Sequence, residues 1–166
     1  MMRQIRKQIL TIGLLIPAFW PGFAQVSPAL AASVVTTAIV SNPLTGVALD
    51  GNDPVSYFTE KEPLQGTVDL AYDWGGVTWY FANKANLDVF KADPEVYAPQ
   101  FGGYCAMGVA RGFLSDGNPR VYTMVGQRLY LFYSTANRDA FLLSPKKAMT
   151  DAIEHWAELS KDLSTN

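Results

Sequence analysis

One cysteine and one histidine among 166 residues are too few for a structural zinc site, which needs four Cys or a mixed Cys and His set. A single thiol also rules out an intramolecular disulfide framework. Basic residues are short as well, 13 Lys and Arg against 15 Asp and Glu, so the electrostatic footprint of a nucleic-acid binder is missing. No apolar run is long enough to span a bilayer: the longest, Ile9 to Trp20, falls short of the roughly 20 residues required. Walker loops, dinucleotide glycine patterns and serine-nucleophile elbows are absent too. What is present, 49% hydrophobic and 17% charged residues, describes an ordinary globular chain.

Arg3, Arg6 and Lys7 precede that short apolar run, and small residues follow at Gly22 and Ala24. This is the layout of a secretory signal, so residues 1–24 are expected to be removed, with Ala29 and Ala31 as a later alternative. Removal leaves about 142 residues with ten basic and fifteen acidic side chains. Such an acidic chain argues against nucleic acid and anionic membrane as partners. No Cys near either cleavage site can accept lipid. The expected compartment is the periplasm, or secretion, with no stable membrane anchor after cleavage. Residues 25–42 carry no charge and no period and read as a flexible leader; the domain is expected over 43–162.

Apolar and polar residues alternate from Val68 to Trp74 and from Val77 to Phe81 around Gly75-Gly76, and again from Val121 to Val125 and Arg128 to Tyr133 around Gly126-Gln127. Both patterns predict β-hairpins, the second with Gly at the first position of a type II′ turn. Helix starts are signalled by Asn83, Asp93-Pro94, Ser134 or Thr135, and Ser144-Pro145, each offering a side-chain acceptor at the N-cap. In the last helix Met149, Ala152, Ile153 and Trp156 form an apolar stripe. The expected fold is α+β, a small antiparallel sheet built from hairpins with short covering helices. No internal repeat is visible beyond the two hairpins. Asp50 and Asp53 flank Gly and Pro as turn-formers do, and Asp69 and Asp73 point outward, so no acid–base pair is expected. The many Tyr and Trp residues, among them Trp74, Trp79, Tyr104 and Tyr130, can line a pocket or simply form a core face.

The segment from Phe101 to Gly112, FGGYCAMGVARG, places four glycines around the only thiol. It resembles the glycine-rich signature of secreted YHS domain proteins. Leu49 to Phe58 (LDGNDPVSYF) is similar to that family's opening motif, and Thr78 to Asn83 through Gln100 is similar to its central run. The resemblance implies a YHS-like domain. The shorter YHS domains attached to metal-transport ATPases use cysteines for soft metal ions, one just after Asp-Pro-Val and one after Tyr-Phe. Here those positions are Ser56 and Ala82, so that ligand set is not implied for this chain.

The residues leave three readings open. In the first, Cys105 in the Gly102, Gly103, Tyr104 loop binds a small thiol-reactive ligand or a soft transition metal such as copper, with Met107 and His155 as further ligands. In the second it forms a mixed disulfide or sulfenic acid. In the third it is a packing residue of a non-catalytic domain that binds a protein partner through its aromatic surface. No catalytic residue is expected. If Gly102-Gly103 starts a helix, Cys105 sits in its first turn; Cys105 and Met107 would then diverge. The depth of the Cys105 sulfur discriminates among the three.

Overall fold

The computed structural model describes residues 37–163; the expected signal segment and most of the leader lie outside the described residues. The architecture is α+β, with helices packed on two separate two-stranded antiparallel sheets where one small sheet was expected. The first sheet pairs β1 (Thr67–Trp74) with β2 (Val77–Phe81). The second pairs β3 (Asn118–Val125) with β4 (Arg128–Phe132). There are two buried clusters: Trp79, Phe81 and Phe90 centre one, which also takes in Leu129 and Leu131 of β4, while Phe132, Phe141 and Val109 centre the other.

Both hairpins turn at the expected glycines. Gly126 and Gln127 both have positive φ, 58° and 59°, which makes the second turn type I′ and not the expected II′. The type I′ twist matches that of the strands, and Gln127 accepts the left-handed conformation that glycine holds at Gly76 in the first hairpin. The turn is solvent-exposed, so no packing opposes a side chain there.

The two sheets belong to two copies of one supersecondary unit, a repeat that the sequence reading missed. Thr67 pairs with Phe81, then the register shifts so that Ala71 faces Tyr80. Fifty-one residues on, Asn118 pairs with Phe132 and the same shift sets Tyr122 opposite Leu131. After the short α1 (Ser56–Thr59) the helices keep the spacing: α2 (Lys84–Ala92) corresponds to α5 (Thr135–Leu143), and α3 (Pro94–Tyr97) to the start of α6 (Pro145–Leu159). Asn83 and Ser134 cap α2 and α5 by accepting from Asn86 and Asn137. Asp93 and Ser144 share a φ near −150° and make no side-chain cap bond, contrary to expectation; Pro94 and Pro145, whose ring presets the first helical turn, follow them directly.

Identical residues at these positions include Gly66 and Gly117, Phe81 and Phe132, Asn86 and Asn137, and Phe90 and Phe141. The glycine pair has a common cause. A side chain on Gly66 would strike the backbone of Tyr80, and one on Gly117 would strike the Gly103 carbonyl and Leu131. Tyr80 and Leu131 are themselves equivalent residues of β2 and β4.

Residues 37–42, the described end of the expected leader, are packed. The amide of Val40 donates to the Gly102 carbonyl at 2.8 Å, and Tyr104 Oη donates to the Thr37 carbonyl at 2.6 Å. Ile39 packs against the first cluster. The apolar Ala38-Ile39-Val40 run has surface to bury there, which composition without period does not reveal. Helix α6 buries Ala148 and Ala152, with Met149 and Trp156 half-buried against the second cluster. Ile153, placed in the apolar stripe by spacing, is 65% exposed, because the buried side of α6 centres on Ala148 and Ala152, one turn apart.

Candidate functional site

Each repeat opens with a turn of left-handed backbone. In the first, Leu49, Asp50 and Gly51 have φ of 53°, 51° and 80°; in the second, Phe101, Gly102 and Gly103 have φ of 55°, 60° and 85°. Each non-glycine residue in that region carries about 1 kcal/mol of strain. Hydrogen bonds hold both turns: Asn52 N and Tyr104 N donate back to Leu49 O and Phe101 O, each at 3.0 Å. These matching turns stand 52 residues apart, while the strands stand 51 apart, so the second copy lacks one residue in the loop between them. The loop closes alike in both, with Asp53 N donating to Leu64 O and Cys105 N to Ser115 O, each at 2.8 Å.

Cys105 therefore occupies the second repeat's equivalent of Asp53. Asp53 is wholly buried, and its carboxylate is saturated. Oδ1 accepts from Val55 N at 2.8 Å and Ser56 N at 3.3 Å. Oδ2 accepts from Ala82 N at 2.9 Å and Asn86 Nδ2 at 2.7 Å. Sequence reading made this residue a turn-former; the Asp-Pro-Val-Ser run does form that local turn, but the donors at Ala82 and Asn86 come from distant chain. Asp53 ties the opening motif to the end of β2 and the start of α2.

Cys105 is 0% exposed, directly ahead of α4 (Ala106–Ala110). Its sulfur accepts from Asn137 Nδ2 at 3.4 Å, the contact that corresponds to Asn86 on Asp53. Ser134 Oγ donates to Asn137 Oδ1 at 2.9 Å, which turns the amide nitrogen toward the sulfur. The glycine-rich loop is occupied by the chain itself: Gly102 O takes Val40 N, Gly103 O takes Gly117 N at 3.0 Å, and Tyr104 holds Thr37. Burial raises the Tyr104 pKa above its ordinary value, helped by Asp116.

The proposed metal ligands differ in depth. Met107 is half-buried beside the second cluster. His155 is exposed, with its ring against Gly112, beyond the far end of α4 from Cys105. Among the described residues no three His, Cys, Asp or Glu side chains form a group suited to a metal ion. Met124 packs as an ordinary strand residue against the first cluster.

Besides a cavity of about 540 Å³ lined by Asn52, Lys61, Glu62, Arg120 and Tyr122, two cavities lie along the line where the repeats meet, and Trp79 and Pro99 border both. One, of about 200 Å³, is bounded by Leu49, Asp50, Gly103, Asp116 and Leu131. The other, of about 360 Å³, is lined by Trp74, Trp79, Phe101 and Trp156, with Glu95 as its one charged residue. Ala38 and Ile39 line the cavity of about 360 Å³ and Val40 to Pro43 the one of about 200 Å³, so the leading segment runs past both. Of this aromatic set, sequence analysis singled out Trp74 and Trp79. Phe101 and Trp156, 5.6 Å apart by ring centroids, come from the second repeat, and nothing in the sequence brings them to the first.

A YHS domain is found at residues 55–101. That span begins at Val55, inside the first opening motif, and ends at Phe101, where the second repeat starts; the second copy lies outside it. No curated protein and no solved structure matches the chain.

Proposed function

We propose that this chain is a non-catalytic binding module, exported to the periplasm or secreted, in which Cys105 is a packing residue and the ligand enters the aromatic groove between the repeats. One contrast carries the reading: the thiol has no exposed surface and takes its hydrogen bond from Asn137, while the tryptophan-lined cavity is open. A thiol needs access to act as a soft donor or a nucleophile. Export is supported by the basic start and short apolar run of residues 1–24.

The test is thiol and copper chemistry on reduced, full-length protein. Cys105 should react with an aromatic disulfide reagent only after denaturation, and the chain should take no Cu(I) from a chelator of known affinity. Uptake of one Cu(I) per chain that disappears in Cys105→Ser would overturn this reading in favour of the soft-metal module. Rapid reaction of the native thiol would favour the redox protein.

A further inference from the structure

We propose that the aromatic cavity of about 360 Å³ between the repeats is a site for a small organic cation, a quaternary or methylated ammonium compound. The inference rests on the groove reading above and adds the chemistry of the ligand.

Three rings, Trp74, Phe101 and Trp156, face the cavity, and Trp79, 1% exposed, backs Trp74; they stand in two pairs, one from each repeat. Trp74 and Trp79 have centroids 6.0 Å apart and planes tilted by 54°; Phe101 and Trp156 stand at 5.6 Å and 60°. Tilted pairs from two sides make a concave aromatic wall. Such walls attract cations through the ring quadrupole, and tryptophan is the strongest of the aromatic side chains in this role. Trp74, Phe101 and Trp156 are half-buried, so packing fixes each ring while part of it faces the cavity.

Charge points the same way. Glu95 is the single charged lining residue, and its carboxylate has no salt-bridge partner among the described residues. The nearby cation, Arg128, donates to the Glu95 backbone carbonyl at 3.2 Å and is not part of the lining. A volume of about 360 Å³ falls at the small end of ligand pockets, in keeping with a guest the size of choline. Gln100 adds the one neutral polar side chain of the lining.

Titration of the full-length chain with choline, followed by tryptophan fluorescence, tests the assignment against 3,3-dimethylbutan-1-ol, the uncharged isostere. Choline should bind saturably and at least about tenfold more tightly than the isostere. Glu95→Gln, an exposed and structurally mild change, should weaken choline about fivefold to tenfold and leave the isostere unmoved. Arg128→Gln should leave choline binding equal or stronger. Absence of saturable choline binding, equal affinity for the two compounds, or an unchanged affinity in Glu95→Gln would each overturn the cation assignment. Tight binding of the isostere alone would do so while sparing the groove reading, which fails instead on Cu(I) uptake through Cys105.

Discussion

Asn137 reaches the sulfur of Cys105 from the same helical position at which Asn86 reaches the carboxylate of Asp53. One amide thus serves a carboxylate in the first repeat and a soft sulfur in the second. The difference sets how much each anchor contributes. Asp53 collects four N–H donors, and removing its carboxylate strands three of them, since Ser56 N also has the Asp53 carbonyl at 3.2 Å. Asp53→Ala should cost about 3 kcal/mol or more in urea unfolding, given the usual penalty for unsatisfied buried groups. A loss below about 0.5 kcal/mol would show that water or a rearranged loop replaces the carboxylate.

Cys105→Ser should cost less, about 1–3 kcal/mol, because a hydroxyl is buried where a polarizable sulfur packed and its shorter bond draws it away from Asn137. Cys105→Ala should fall in a similar range. If serine were as stable as wild type, the sulfur would not be a packing group.

The glycines at the start of the long strands predict a paired result. Gly66→Ala and Gly117→Ala each force a Cβ into neighbouring backbone, so each should lower stability by more than about 2 kcal/mol, as overpacking against an unyielding main chain does. Gly126→Ala, with open space around it, should suffer only from its positive φ. Equal effects at all three sites would contradict the shared packing of Gly66 and Gly117.

Gln127 offers the opposite sign. It holds a φ of 59° in an exposed turn, so Gln127→Gly should stabilise by about 0.5–1 kcal/mol through relief of left-handed strain. A thermal melt that moves downward would mean the side chain makes a contact that outweighs that strain.

Alkaline pH should act through Tyr57. Its hydroxyl donates to the Pro119 carbonyl at 2.9 Å, joining the first repeat to β3. Burial, then the neighbouring Tyr122 and Asp50, pushes its pKa well above 10. The unfolded chain releases this proton near pH 10 while the folded chain retains it, so the folded state binds more protons and stability falls as pH rises past 10. Below pH 10 the contribution is fully present. Tyr57→Phe should lose about 1 kcal/mol at neutral pH and show a shallower decline above pH 10; an unchanged alkaline slope would remove Tyr57 as its source.

Local structure was legible because its signals are local. Asn83 and Ser134 cap helices where an acceptor precedes a helical period, and Gly75-Gly76 turns a hairpin because both residues accept positive φ. The duplication escaped because its evidence is spacing with few identities: Trp79 answers to Tyr130 and Asp53 to Cys105, pairs no alphabet of residue types connects. The aromatic cavity escaped for a related reason. Phe101 and Trp156 are 55 residues apart and meet Trp74 only through the packing of one repeat on the other. The Gly102-Gly103 pair drew attention as a ligand loop, whereas its backbone serves as the bed for residues 38–40.

The enclosed sulfur has a further use. A thiol with no exposed surface reacts with a label only when the structure around it opens, so its labelling rate counts local unfolding events. In this chain the probe sits in the second repeat, since the first carries a carboxylate at the same place, and it counts every opening, local or global, that uncovers that repeat. Cys105 is a natural clock on how often one half of the molecule opens.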